Sequence, residues 1–195
     1  MKKLLSTLFC LSFVFQASAV TLVIEGELSS GGGPLGVIGD AFTITVSYPT
    51  PGTDSTPATD FGSYRFLGST PGALATYEIN GTTLSVPTSE YFDLFVGDNL
   101  SSGDKFEMEG FLVAGGADFF NFFFVDPLAS VFSSDDLPTS LELSDFTTVG
   151  ANLFINGDSY FGSVTSVAVV GIPEPSRTVL ILLGLSVGFL TRKRW

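Results

Sequence analysis

The sequence predicts an all-β protein: one antiparallel β-sandwich or jelly-roll-like domain with an apolar segment at each end. Three observations predict it. No stretch before the C-terminal tail keeps a 3.6-residue apolar period for three turns. Apolar and polar residues instead alternate with period two in short runs, most cleanly over 41–48 and 105–113. Between the runs stand turn formers, drawn from 22 Gly, 10 Pro and several Asn and Asp. Short strands with turn signals between them are the pattern of two packed antiparallel sheets.

Residues 20–28 (VTLVIEGEL) form the first strand, with Glu25 and Glu27 on one face. Residues 29–39 hold glycines and Pro34 and read as a loop. In 41–48, Phe42, Ile44, Val46 and Tyr48 point one way and Thr43, Thr45 and Ser47 the other, as in a half-buried strand. Residues 49–59 contain Pro49, Pro51, Gly52 and Pro57 and form an exposed loop. Short strands follow at 62–66, 74–79 and 82–86; Asn80-Gly81 between the last two is a type I′ hairpin turn. Another strand covers 91–96. In 105–113, Phe106, Met108 and Leu112 face inward and Lys105, Glu107 and Glu109 outward. The run 119–125 (FFNFFFV) is apolar on both faces and reads as a central strand covered on both sides. Residues 133–137 (SSDDL) suit a turn of helix from a Ser cap. Leu141, Leu143, Leu153 and Ile155 continue the strand pattern, and 162–170 closes the domain. Eight to eleven strands are expected, the first and last near each other.

The ends read differently. Lys2 and Lys3, the apolar run 4–15 and Ala17-Ser18-Ala19 have the order of a secretory signal helix with an A-x-A cleavage site at Ala17 and Ala19. Phe9 precedes Cys10 where a lipoprotein would carry a small residue. At the other end, 179–190 reads VLILLGLSVGFL, without a charge. Its anchor residues are Val179, Leu180, Ile181, Leu182, Leu183, Leu185, Val187, Phe189 and Leu190. At about 1.5 Å per residue the run makes only about 18 Å of helix. A bilayer core needs about 30 Å. Extension upstream and snorkelling by Arg177 make it a marginal single transmembrane helix. Arg192, Lys193 and Arg194 then form a basic stop on the cytoplasmic side. The chain therefore divides into a signal peptide (1–19), a secreted β domain (20–171) and a sorting and anchor segment (172–195).

Composition excludes much chemistry. The formal net charge is −12 and there is no histidine. Of the eight Lys and Arg, only Arg65 and Lys105 lie within 20–171, whereas nearly all the acids do. So acidic a domain does not take nucleic acid as a partner. With Cys10 in the signal peptide, the mature domain has neither thiol nor imidazole for nucleophilic catalysis or His-ligated metal. Neither a Walker loop nor a dinucleotide fingerprint is present. Glu107 and Glu109 are an i, i+2 carboxylate pair, read as solvated acids rather than a glycosidase pair. Asp135-Asp136 reads as a turn cap. Catalytic and cofactor-binding residues are expected to be absent. Calcium is the one cofactor weighed: Asp98, Asn99, Ser101 and Asp104, with Gly103, form an oxygen-rich loop whose spacing matches no EF-hand. Tyr48, Tyr64, Tyr91 and Tyr160 are the aromatics weighed as sugar-stacking residues, with core packing as the alternative.

The order Pro173-Glu174-Pro175, apolar run, Arg192-Lys193-Arg194 resembles the PEP-CTERM sorting signal of Gram-negative bacteria. The prolines forbid helix and hold an extended strip just outside the bilayer. The resemblance implies recognition by an exosortase after export by the general secretion machinery. It also implies an inner-membrane-anchored precursor, then a place at the cell surface or in an exopolysaccharide matrix. A looser resemblance to one type of PEP-CTERM ectodomain is carried by Gly39-Asp40-Ala41-Phe42, Ser47-Tyr48, Phe61-Gly62-Ser63-Tyr64, Phe132-Ser133-Ser134-Asp135-Asp136-Leu137-Pro138 and Gly162-Ser163-Val164-Thr165-Ser166-Val167. It implies no activity. The expectation is a non-enzymatic exported surface or matrix protein; the alternative is a carbohydrate-binding module that recognises exopolysaccharide.

Overall fold

A computed structural model describes residues 18–56, 58–113 and 116–171. Residues 1–17 of the expected signal peptide and the expected sorting and anchor segment 172–195, with both expected terminal helices, lie outside the described residues. Within them are ten strands: β1 (Ser18–Gly31), β2 (Ala41–Thr50), β3 (Phe61–Leu67), β4 (Leu74–Ile79), β5 (Thr82–Ser85), β6 (Tyr91–Leu100), β7 (Gly103–Phe111), β8 (Phe119–Asp126), β9 (Thr148–Ile155) and β10 (Asp158–Gly171). They form one sheet in the order β3-β6-β7-β8-β9-β10-β1-β2-β4-β5. The strand pairs are antiparallel. The all-β class is as expected.

Alternation explains the strands. In β2, Phe42, Ile44, Val46 and Tyr48 are buried, and Thr43 and Thr45 face outward. Ser47 departs from the pattern: it is buried and shares a 2.7 Å hydrogen bond with Thr21 on the neighbouring strand. In β8, Phe120, Phe122 and Phe124 are fully buried. The other phase, Phe119, Asn121, Phe123 and Val125, is only half-buried. The expectation that both faces of β8 are covered is therefore corrected. Its two edges are paired, to β7 and β9, but just one face lies in the core.

The sheet curls so that its ends meet. Tyr48 of β2 stacks on Phe66 of β3 at 6.3 Å, and Tyr77 of β4 meets the edge of Phe120 of β8 at 5.8 Å. These strands are far apart in the sheet order, so the contacts close one face into the core. β1 and β10 pair from Val20↔Gly171 to Gly31↔Tyr160. The strand-built unit, Ala19–Ile172, thus begins and finishes at one end of the sheet. β1 is 14 residues long, longer than expected because 29–31 continue the ladder. At about 3.3 Å per residue it spans about 45 Å.

Turns follow local chemistry. Asn80 and Gly81 have φ of 49° and 74°, as a type I′ turn requires. Asn156 and Gly157 repeat this between β9 and β10, with φ of 53° and 86°. The helical turn expected at 133–137 is not there. The one helical turn among the described residues is a 3-10 turn at Leu143–Asp145, which also replaces the strand expected around Leu141 and Leu143. Residues 133–138 are held instead by tyrosines reaching out of the sheet: Tyr48 Oη donates to Pro138 O at 2.6 Å and Tyr64 Oη to Asp135 O at 2.9 Å.

Candidate functional site

The outer face of β3-β6-β7-β8-β9 carries the candidate side chains, in rows fixed by register. One row reads Ser63, Phe95, Glu107, Phe123, Gly150. The next reads Arg65, Asp93, Glu109, Asn121, Asn152. A third holds Tyr91, Phe111, Phe119 and Phe154. Residues two apart on a strand share a face, so outward aromatics and outward polar groups alternate row by row.

In the polar row Arg65 makes a bidentate pair with Asp93, both bonds 2.8 Å, and its guanidinium lies 3.9 Å from the centre of the Tyr91 ring. Asn152 Nδ2 donates to Asn121 Oδ1 at 2.8 Å. Glu109 sits between these pairs. Partial burial and the charges of Glu107 and Asp93 hold its carboxyl above the usual carboxylate range. Lys105 forms an ion pair with Glu107. Phe61, Phe95, Gly97, Lys105 and Glu107 line an open depression of about 230 Å³.

The aromatics are not equivalent. Phe119 and Phe154 stack at 4.6 Å, Tyr91 is covered by Arg65, and Phe61 stacks on Phe95 at 6.0 Å. Phe123 is the one phenylalanine among the described residues that pairs with no other ring. Its ring occupies the space above Gly150, where a Cβ would stand 2.7 Å from Cζ.

The tyrosines weighed from sequence fall elsewhere. Tyr48, Tyr64 and Tyr160 are buried in the core, and Tyr91 alone of the four faces outward. The outward phenylalanines Phe95 and Phe123 carry the face instead. For Phe123 a weak signal was present: it shares its phase with the polar Asn121 in 119–125, opposite to Phe120, Phe122 and Phe124.

The oxygen-rich loop is brought together, but its carboxylates serve the chain. Asp104 is fully buried. Its Oδ1 accepts the Asn99 N–H at 2.9 Å, and its Oδ2 accepts the N–H groups of Val131 at 2.8 Å and Phe132 at 2.7 Å. Asp98 Oδ1 accepts from Asn99 Nδ2 at 2.6 Å. Ser101 is exposed in the turn. Among the described residues no group of three or more His, Cys, Asp or Glu is placed to hold a metal ion. Asp135 and Asp136 share no cleft; Asp136 Oδ2 accepts from Ser134 Oγ at 3.0 Å in a local turn.

The residues of the looser resemblance are structural. A Cβ on Gly62 would lie 2.4 Å from Asp135 O, and one on Gly162 would lie 2.2 Å from the Phe42 ring. Asp40 Oδ2 accepts from the Val37 N–H and from Asn80 Nδ2, which keeps its carboxyl below the usual range. Together with Tyr48 and Tyr64, these residues fix loops onto the sheet. No protein-family model matches the chain, and comparison with curated proteins and with solved structures gives no match. Among the described residues no helix is long and apolar enough to cross a membrane. The expected sorting motif Pro173, Glu174 and Pro175, the expected anchor and the expected basic stop all lie outside the described residues.

Proposed function

We propose that this is a non-enzymatic exported protein, anchored as a precursor in the inner membrane and sorted by an exosortase to the cell surface or matrix. One observation carries the reading: Pro173-Glu174-Pro175, an uncharged apolar run and Arg192-Lys193-Arg194 follow in that order behind a signal-like N-terminus. The fold supports it in two ways. The compact β unit, Ala19–Ile172, is bounded by Ala19 of the A-x-A site and by Pro173 of the motif. Two carboxylates of its outer face, Asp93 and Glu107, are engaged in ion pairs with Arg65 and Lys105. We read the curled sheet as a sandwich of jelly-roll type, an architecture that suits display.

The test is processing in a host with a working exosortase. Changing Pro173 and Pro175 to Ala leaves an unprocessed, membrane-associated precursor. Normal processing of that variant refutes the role of the motif. A second reading, carbohydrate binding by the displayed domain, is favoured by the alternating aromatic and polar rows of the outer face.

A further inference from the structure

We infer that Phe95, Glu107 and Phe123 form a binding strip for an uncharged polysaccharide. The inference deepens the carbohydrate-binding reading and is independent of the sorting reading. The three residues are directly opposite one another on β6, β7 and β8. At about 4.8 Å between strands the two rings are rooted about 10 Å apart. A ligand that bridges them is longer than a single sugar ring. The C–H faces of sugars pack on the negative face of an aromatic ring. Phe123, without a ring partner, and Phe95, stacked on Phe61 and lining the open depression, are the outward rings placed to offer one. Between them Glu107 offers acceptor oxygens for hydroxyl groups, and the Lys105 ammonium beside it offers donors.

Charge selects the class of polymer. The only cations of the β unit, Arg65 and Lys105, are already paired with Asp93 and Glu107. An anionic polymer would meet an acidic domain with no uncommitted cation among the described residues, so the strip suits a neutral chain. The depression is open rather than enclosed, which suits a segment of a long polymer.

The test is affinity electrophoresis of the full chain in detergent, through native gels containing hydroxyethyl cellulose, galactomannan, dextran or alginate. At least one neutral polymer retards the protein, and alginate does not. Phe95→Leu and Phe123→Leu keep apolar bulk but remove the ring face, and each weakens retardation about tenfold. Phe123→Trp restores a ring and retains binding, with circular dichroism confirming the fold throughout. Phe161→Ala, away from the strip, changes nothing. The inference is overturned if no neutral polymer retards the chain, if alginate does so equally, or if both Leu variants bind as the parent does. It is also overturned if the Leu variants convert a dimer to a monomer, since the strip is then a self-contact. Exosortase processing of the same variants is measured alongside: processed but non-binding wild type sinks this inference alone, and unprocessed wild type sinks the sorting reading alone.

Discussion

Tyr77 is fully buried, stacked on Phe42 at 5.4 Å, and its hydroxyl finds no hydrogen-bond partner among the described residues. Burial pushes its pKa up, as expected for a phenol that has lost water. Tyr77→Phe is therefore expected to stabilise the fold by about 1 kcal/mol, read from the midpoint of urea unfolding. Asp104 is the opposite case. Its carboxylate satisfies three backbone N–H groups and ties 131–132 to the β6–β7 turn. Asp104→Ala should cost about 3 kcal/mol in the same assay. Two carboxylates give opposite pH dependence. Asp126 accepts from the N–H groups of Leu128 and Ser130, which lower its pKa below 3.8. Its stabilisation is present above that value and is lost as pH falls through the folded-state pKa. The pKa of Glu109 is raised above 4.5, so its contribution is present below 4.5 and is lost as pH rises through the folded-state value. Asp126→Asn should flatten the acid limb of a stability–pH curve. Glu109→Gln should raise stability at neutral pH and remove the gain on acidification. The role of Asp104 was not legible in the sequence, because its partners are remote: Asp104 and Phe132 are brought together only by the fold.

At the level of strands and turns the reading went further. Period-two alternation found β2 and β7, because each buries one face. Asn80-Gly81 found its hairpin, because the turn geometry is local. The run 119–125 misled, because outward phenylalanines there look like core until the register places them on the solvent face. The loop 131–142 misled too. Its conformation is set by Tyr48, Tyr64 and Asp104, not by local propensity. Edges are managed as antiparallel sheets require: β5 is only four residues long, and at β3 Asp54 Oδ1 accepts the Ser63 N–H at 2.8 Å. Close packing of strand on side chain yields a test. Gly162 lies against the Phe42 ring, so Gly162→Ala should cost about 2 kcal/mol by overpacking. Phe42→Leu in the same chain should recover part of that loss, a coupling read from a double-mutant cycle.

In the whole chain, a curled β unit stands between two apolar end sequences that we propose act as addresses. Because β1 and β10 run side by side, the chain enters and leaves the unit at one end. The turns at Asn80-Gly81 and Asn156-Gly157 lie at the other, about 45 Å along β1. The expectations for the two ends come from linear order alone: basic residues, an apolar run and a small-residue or proline motif. The proposed binding strip was not legible in the sequence, because its residues line up only when the register of β6, β7 and β8 is set. The most direct test of the account is the mass of the mature protein recovered from the surface of a host with a working exosortase. The account predicts a chain that begins near Val20 and ends near Pro173-Glu174-Pro175. Recovery of the intact chain, Met1 to Trp195, from the cytosol would contradict it.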